Sequence, residues 1–145
     1  MQNKAEYEIM KLSELNPSQV EQAVAIFIDG FYYIYAKAVS KDKTLLKELF
    51  IDAFDYNMVF VCLYEKRVVG FLGLGNSYKR CIALSKETCK RLFGSFKGAM
   101  IYMQMGGMLH EITVHGINEG YIDYITTDDS YRGKGIATRL IKYAC

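Results

Sequence analysis

Arg132, Gly133, Lys134 and Gly135 stand together where an apolar segment, GYIDYITT, gives way through DDS to IATRLIKYA, a run of helical character. Cations and glycines at such a junction could hold an anion. A helix start leaves backbone N–H groups without intrahelical partners, and its dipole favours negative charge. Glycine lets the backbone curl and lets a ligand come close where a Cβ would stand in the way. Successive N–H groups can then surround a phosphate. Arg132 and Lys134 add positive charge, and the short Ala137 keeps the first turn open. The other reading is a plain turn with glycines for geometry and cations for solubility. Neither common nucleotide fingerprint is present: the Walker spacing is absent, and GxGxxG fails at Thr138.

The remaining chemistry-bearing residues give weaker patterns. His110 and His115, in HEITVH, lack the HExxH spacing, so surface or loop histidines are the better reading and no metal site is expected. Cys62, Cys81, Cys89 and Cys145 show no CxxC spacing, and Cys62 sits in an apolar run, so buried free thiols are expected rather than a disulfide framework. The Met-rich stretch MIYMQMGGM could line a pocket with adaptable side chains, or could simply be core.

These residues must be positioned by a fold. The chain has 145 residues, which suits one domain spanning 1–145. Apolar residues are 51% and charged residues 23%, so wholesale disorder is not expected. Net charge is +2, too small to argue for nucleic acid or an anionic membrane as partner, and no basic stripe is visible. The N-terminus, MQNKAEYEIMK, is mixed and charged, and runs such as MVFVCLY fall far short of a membrane span. A cytoplasmic setting fits these features.

Along the chain, YEIMKLS reads as a short strand. NPSQ reads as a helix start, with Asn16 as cap, Pro17 in the first position and Gln19 three residues after the cap. Val20, Val24, Phe27, Phe31 and Ile34 then recur at helical spacing as an inward face. A second helix is expected from about Asp42 to Phe54, with Leu45, Leu46, Leu49, Phe50 and Ala53 inward. Met58–Tyr64 and Val68–Leu74 flank the turn EKR as a strand pair, apolar nearly throughout, as in strands covered on both faces. A helical section broken around Gly94 and Gly98 follows, then the strand, loop and helix of the opening paragraph. The order β-α-α-β-β-α-α-β-α makes an α/β (α+β) architecture.

Arg132, Gly135 and Ala137, preceded by GYIDYITTDDSY and followed by TRLIKYA, resemble the pyrophosphate-binding motif Arg-x-x-Gly-x-Ala of the GCN5-related N-acetyltransferases. The element order also resembles that family, and the resemblance covers essentially the whole chain. It implies an acyl-CoA N-acyltransferase-like mixed sheet flanked by helices. It implies acetyl-CoA as cosubstrate and an amine as acceptor. The positions matching the pantetheine-binding strand are Ile125, Thr126 and Thr127. Those matching the pyrophosphate loop are Arg132, Gly133, Lys134, Gly135, Ile136, Ala137 and Thr138. The family often places an acidic base on or near this strand, which makes Asp123 and Glu119 the catalytic candidates; a carboxylate at a solvated strand end, or one held by a cation, is the alternative for Asp123. Alternation along the strand groups Asp123 with Tyr121 and Ile125, and Ile122 with Tyr124. Tyr32, Tyr33 and Tyr35, with Phe31, lie where the family commonly builds its acceptor site, or are core.

The sequence departs from the family by stopping at Cys145, inside the helix that the loop begins, where the family continues with further strands and a helix. A C-terminally truncated form would leave the central strand with an unpaired edge, a template for pairing with a second copy as a homodimer. The functional alternatives are an acetyl-CoA-dependent N-acetyltransferase, a non-catalytic acyl-CoA-binding or regulatory module, and an assembly protein that uses the exposed edge.

Overall fold

Local chemistry fixes where the first long helix begins. A computed structural model describes residues 6–76, 79–109 and 120–144. After strand β1 (Tyr7–Lys11) and a single 3-10 turn, helix α1 (Pro17–Ala38) opens on a reciprocal cap. The Asn16 side chain accepts from the Gln19 N–H at 2.8 Å, and the Asn16 N–H donates to the Gln19 side chain at 3.2 Å. Helix α2 (Lys43–Ala53) starts on Asp42, whose carboxylate accepts from the N–H groups of Thr44 and Leu45.

The strand pair is β2 (Val59–Tyr64) and β3 (Arg67–Asn76). Arg67 belongs to β3 rather than to the turn, which is shortened to Glu65 and Lys66, both at positive φ (49° and 67°). Two residues of that hand match the twist of the flanking strands, which a looser three-residue turn does not do as well. Helix α1 braces this end: Gln19 donates to the Lys66 carbonyl at 3.0 Å, and Gln22 accepts from the Val68 N–H at 2.9 Å.

Helices α3 (Lys86–Phe93) and α4 (Ser95–Leu109) follow, then β4 (Gly120–Thr127) and α5 (Ile136–Ala144). The helical section breaks at Gly94, at φ 89°, but not at Gly98, which lies inside α4. Gly98 is instead a point of close approach. A Cβ there would fall within 2.6 Å of Lys90 Cα and closer still to the Cys89 carbonyl of α3.

The described strands form one sheet in the order β1-β2-β3-β4, each neighbouring pair antiparallel. Helices α1 and α2 cover one face. Phe27 lies at the centre of that core, fully buried, with the rings of Phe31, Tyr35, Phe50, Phe54, Phe71 and Tyr124 each within 5.8 Å of its own. Helix α5 covers the other face through Ile136 and Leu140, which pack on Cys62, Val69 and Leu72. Both faces of β2 and β3 are thus covered, which is why both read as continuous apolar runs. Cys62, Cys81 and Cys89 are buried free thiols. Burial pushes the Cys62 thiol up to about 11, so it stays protonated and unreactive.

The inward face of α1 differs from a regular helical stripe. Val20, Val24 and Phe27 are buried as expected, but Ala23, Ile28 and Tyr35 complete the face, while Phe31 and Ile34 are only half-buried. Beyond Gly30 a kink at Phe31 (φ −120°, ψ 17°) rotates the stripe, so that Tyr35 rather than Ile34 is buried. Leu45 is likewise half-buried. Among the described residues no single helix is long and apolar enough to cross a membrane.

Candidate functional site

The site is built where β4 ends. Thr127 is the last strand residue, and the Asp128 N–H still donates to the Val69 carbonyl at 2.9 Å, so the chain leaves the sheet from a fixed point. The Asp128 carboxylate then accepts from the Ser130 N–H at 2.9 Å and opens one 3-10 turn over Asp129–Tyr131. Gly133 and Gly135 follow at φ 79° and 77°, with open space where their Cβ atoms would be. That hand of backbone favours glycine. The Arg139 N–H bonds the Gly135 carbonyl at 3.0 Å and begins α5. Helix geometry leaves the N–H groups of Ile136, Ala137 and Thr138 with no acceptor inside the helix.

Beside this turn runs a groove between α1 and β4. One part, of about 200 Å³, lies between Asp29 and Gly30 on α1 and Thr127, Asp128 and Arg132. The adjoining part, of about 320 Å³, is walled by Phe31 and by Ile125, Thr126 and Ala137. Gly30, Thr127 and Arg132 line both. Gly30 sets the approach of helix and strand, because a Cβ there would fall within 2.9 Å of Thr126 Cβ and closer still to its hydroxyl. The outer backbone edge of β4 faces this groove: among the described residues β4 pairs with β3 alone.

Sequence reasoning placed Ile125, Thr126, Thr127, Arg132 and Ala137 at one site, and they converge on this groove. The side chains of the other loop positions point elsewhere. Ile136 is buried in the core, Thr138 is exposed, and Lys134 folds back so that its Nζ lies 5.2 Å from the Tyr131 ring centre. Arg132 donates to Asp129 at 2.7 Å; both side chains are largely exposed, so a ligand anion can replace that carboxylate at small cost.

Asp123 departs from the expected alternation. Gly73 pairs with Tyr124 and Leu74 with Ile122, so Asp123 is an extra residue in β4, a bulge. The bulge turns Asp123 and Tyr124 toward the same face, the one covered by α1, and leaves Ile125 on the α5 face. The Asp123 carboxylate is nearly buried (4% exposed) and accepts from Nε of Arg80 at 2.9 Å and from the same guanidinium's Nη2. The Cys81 thiol, pushed up by burial and so protonated, points at the same carboxylate with Sγ 3.7 Å away. The hydrogen bond to Asp123 raises Arg80 further above its ordinary range. Next to this pair the hydroxyls of Tyr35 and Tyr124 lie 2.7 Å apart.

Glu119, His110, His115 and Cys145 lie outside the described residues. The tyrosines of α1 do not converge on one place: Tyr35 is core, Tyr33 is 69% exposed, and the Tyr32 hydroxyl donates to the Lys41 carbonyl at 2.6 Å. The methionines of α4 divide likewise, with Met105 buried and Met100 and Met103 exposed. Sequence reasoning missed Gly30 and Arg80. An isolated glycine inside an apolar helical pattern signals close packing. Nothing local to Arg80 marks its partner 43 residues away.

Comparison with known proteins bears on this geometry. Residues 21–145 match the model of the acetyltransferase (GNAT) family. Among solved structures, the chain is similar to an N-acetyltransferase from Staphylococcus aureus Mu50, with 20% identity and a TM-score of 0.53 over 94% of this chain and 73% of that one. A second acetyltransferase structure aligns at 18% identity with a TM-score of 0.51, over 94% of this chain and 71% of that one. At such identities the likeness is one of fold. No curated protein matches the chain.

Proposed function

The chain belongs to the acetyltransferase (GNAT) family, and from that premise we propose that it moves an acetyl group from acetyl-CoA to an acceptor amine. The observation that carries the reading is the groove along the outer edge of β4, which ends at the glycine turn and the start of α5. Extended backbone at Ile125, Thr126 and Thr127 offers amide pairing to pantetheine. The turn from Arg132 to Gly135 and the first N–H groups of Ile136, Ala137 and Thr138 offer donors to the pyrophosphate. The amine attacks the thioester carbonyl, the C–N bond forms, the C–S bond breaks and the thiolate leaves, while the amine loses a proton to a base. Asp123 is engaged by Arg80 and Cys81, so its assigned role is to hold the bulge; Glu119 stays the candidate base.

One replacement tests the turn. Gly135→Val puts a β-branched side chain at φ 77°, and if the turn relaxes to escape a strain of about 1–3 kcal/mol, acetyl-CoA should bind about five- to 150-fold more weakly. Titration of acetyl-CoA into the folded variant checks this, and unchanged affinity would remove the turn from the site.

The non-catalytic acyl-CoA-binding module has its own support. Each carboxylate in or near the groove among the described residues is ion-paired: Asp29 with Lys43, Asp123 with Arg80, Asp128 with Arg67 and Asp129 with Arg132. Release of CoA thiol on mixing acetyl-CoA with a panel of small amines, amino sugars and peptides separates the two. Amine-dependent release supports the transferase; binding without release supports the module.

Among the described residues the outer edge of β4 carries no paired strand, which also supports a homodimer. A second copy would use the same backbone groups as pantetheine, so saturating acetyl-CoA is expected to shift the chain toward monomer in light scattering. A dimer indifferent to acetyl-CoA would place its interface elsewhere.

A further inference from the structure

Tyr131 is the last residue before the Arg132–Gly135 turn, and its ring is built into a ladder. Its centroid lies 5.6 Å from that of Tyr64 on β2. Tyr64 in turn lies 5.1 Å from Tyr7, its direct partner across β1 and β2. The rungs reach from the loop to the far edge of the sheet and rest on the apolar cluster beneath α5. Cations sit over both ends: Lys134 Nζ is 5.2 Å from the Tyr131 ring centre, and the Arg139 guanidinium is 4.6 Å from that of Tyr7.

The ladder explains why Arg132 and Lys134 part company. Arg132 lines the groove against α1, whereas Lys134 is drawn to the opposite face by Tyr131. Between the Tyr131 ring and the buried Ile136 side chain, Gly133 and Gly135 have no side chains with which to hold themselves. A turn of this kind loses freedom when it closes on an anion, and bracing it beforehand lowers that loss.

We propose that Tyr131 is a positioning residue for acyl-CoA binding: packed against Tyr64 and carrying Lys134, its ring presets the phosphate-holding turn. The inference rests on the acetyl-CoA reading above. Its test is titration of acetyl-CoA into wild type, Tyr131→Ala, Tyr131→Phe, Lys134→Ala and the Tyr131→Ala/Lys134→Ala double variant, each first checked for cooperative unfolding. Tyr131→Ala should bind about tenfold more weakly, and Tyr131→Phe, which keeps the ring, within about twofold of wild type. The double variant should bind about as tightly as Tyr131→Ala alone, because both changes break one linkage. Wild-type affinity in Tyr131→Ala, equal losses in Tyr131→Phe and Tyr131→Ala, or strictly additive losses would each overturn the positioning role while leaving the acetyl-CoA reading intact. No binding by the wild type would overturn both.

Discussion

Replacing Asp123 by alanine is expected to destabilise the fold by about 3–5 kcal/mol, because it removes a nearly buried carboxylate that holds a mostly buried guanidinium through two hydrogen bonds. The Arg80 side chain is 15% exposed and the Asp123 side chain 4%, so water can do little to make good the loss. The Cys81 thiol loses its acceptor as well. Removing both charges together is a different matter. In Arg80→Met/Asp123→Leu both charges of this pair go together, and much of the lost stability should return. Urea unfolding of the two variants beside wild type measures this. Turnover of Asp123→Asn separates positioning from proton transfer. If Asp123 were the base, Asp123→Asn would abolish turnover at saturating substrate in the folded fraction. The geometry predicts instead that stability falls and that turnover in the folded fraction survives. Asp123→Ala within about 1 kcal/mol of wild type would contradict the structural role.

Phe27→Ala should be comparably damaging, at about 3–5 kcal/mol. Phe27 is fully buried and touches rings from α1, α2, β3 and β4 together with Phe54 just past α2, so truncation opens a cavity that no single neighbour can fill. The effect should reach the groove. Phe31 and Tyr124 rest on Phe27 and on each other, with centroids 5.1 Å apart, and Phe31 forms part of the groove wall. Phe27→Leu keeps most of the volume and should recover much of the loss. Chemical denaturation of both variants checks the prediction, and a loss under about 1 kcal/mol for Phe27→Ala would mean that the core can close around the hole.

What the sequence made legible is local. The cap formed by Asn16 and Gln19, the start of α2 at Asp42 and the covered strands β2 and β3 all follow from residues a few positions apart. The strand, glycine turn and helix around Arg132 are of the same kind. What stayed hidden depends on partners far along the chain. Alternation alone cannot show the bulge at Asp123, which exists only against β3 and is held by Arg80. Gly98 reads as a helix breaker until α3 is packed against it. The kink at Phe31 places Gly30 against Thr126, so a wall of the groove comes from a helix read only for its apolar face. Tyr131 and Tyr64 are 67 positions apart in the numbering and meet only through the sheet.

The central claim is that the turn from Arg132 to Gly135 and the outer edge of β4 together hold acetyl-CoA. Calorimetric titration of acetyl-CoA into the chain at moderate salt tests it most directly. The account predicts saturable binding at one site per chain, weakened by Gly135→Val in a variant that remains folded. Absence of heat at millimolar acetyl-CoA, or binding indifferent to Gly135→Val, would contradict it.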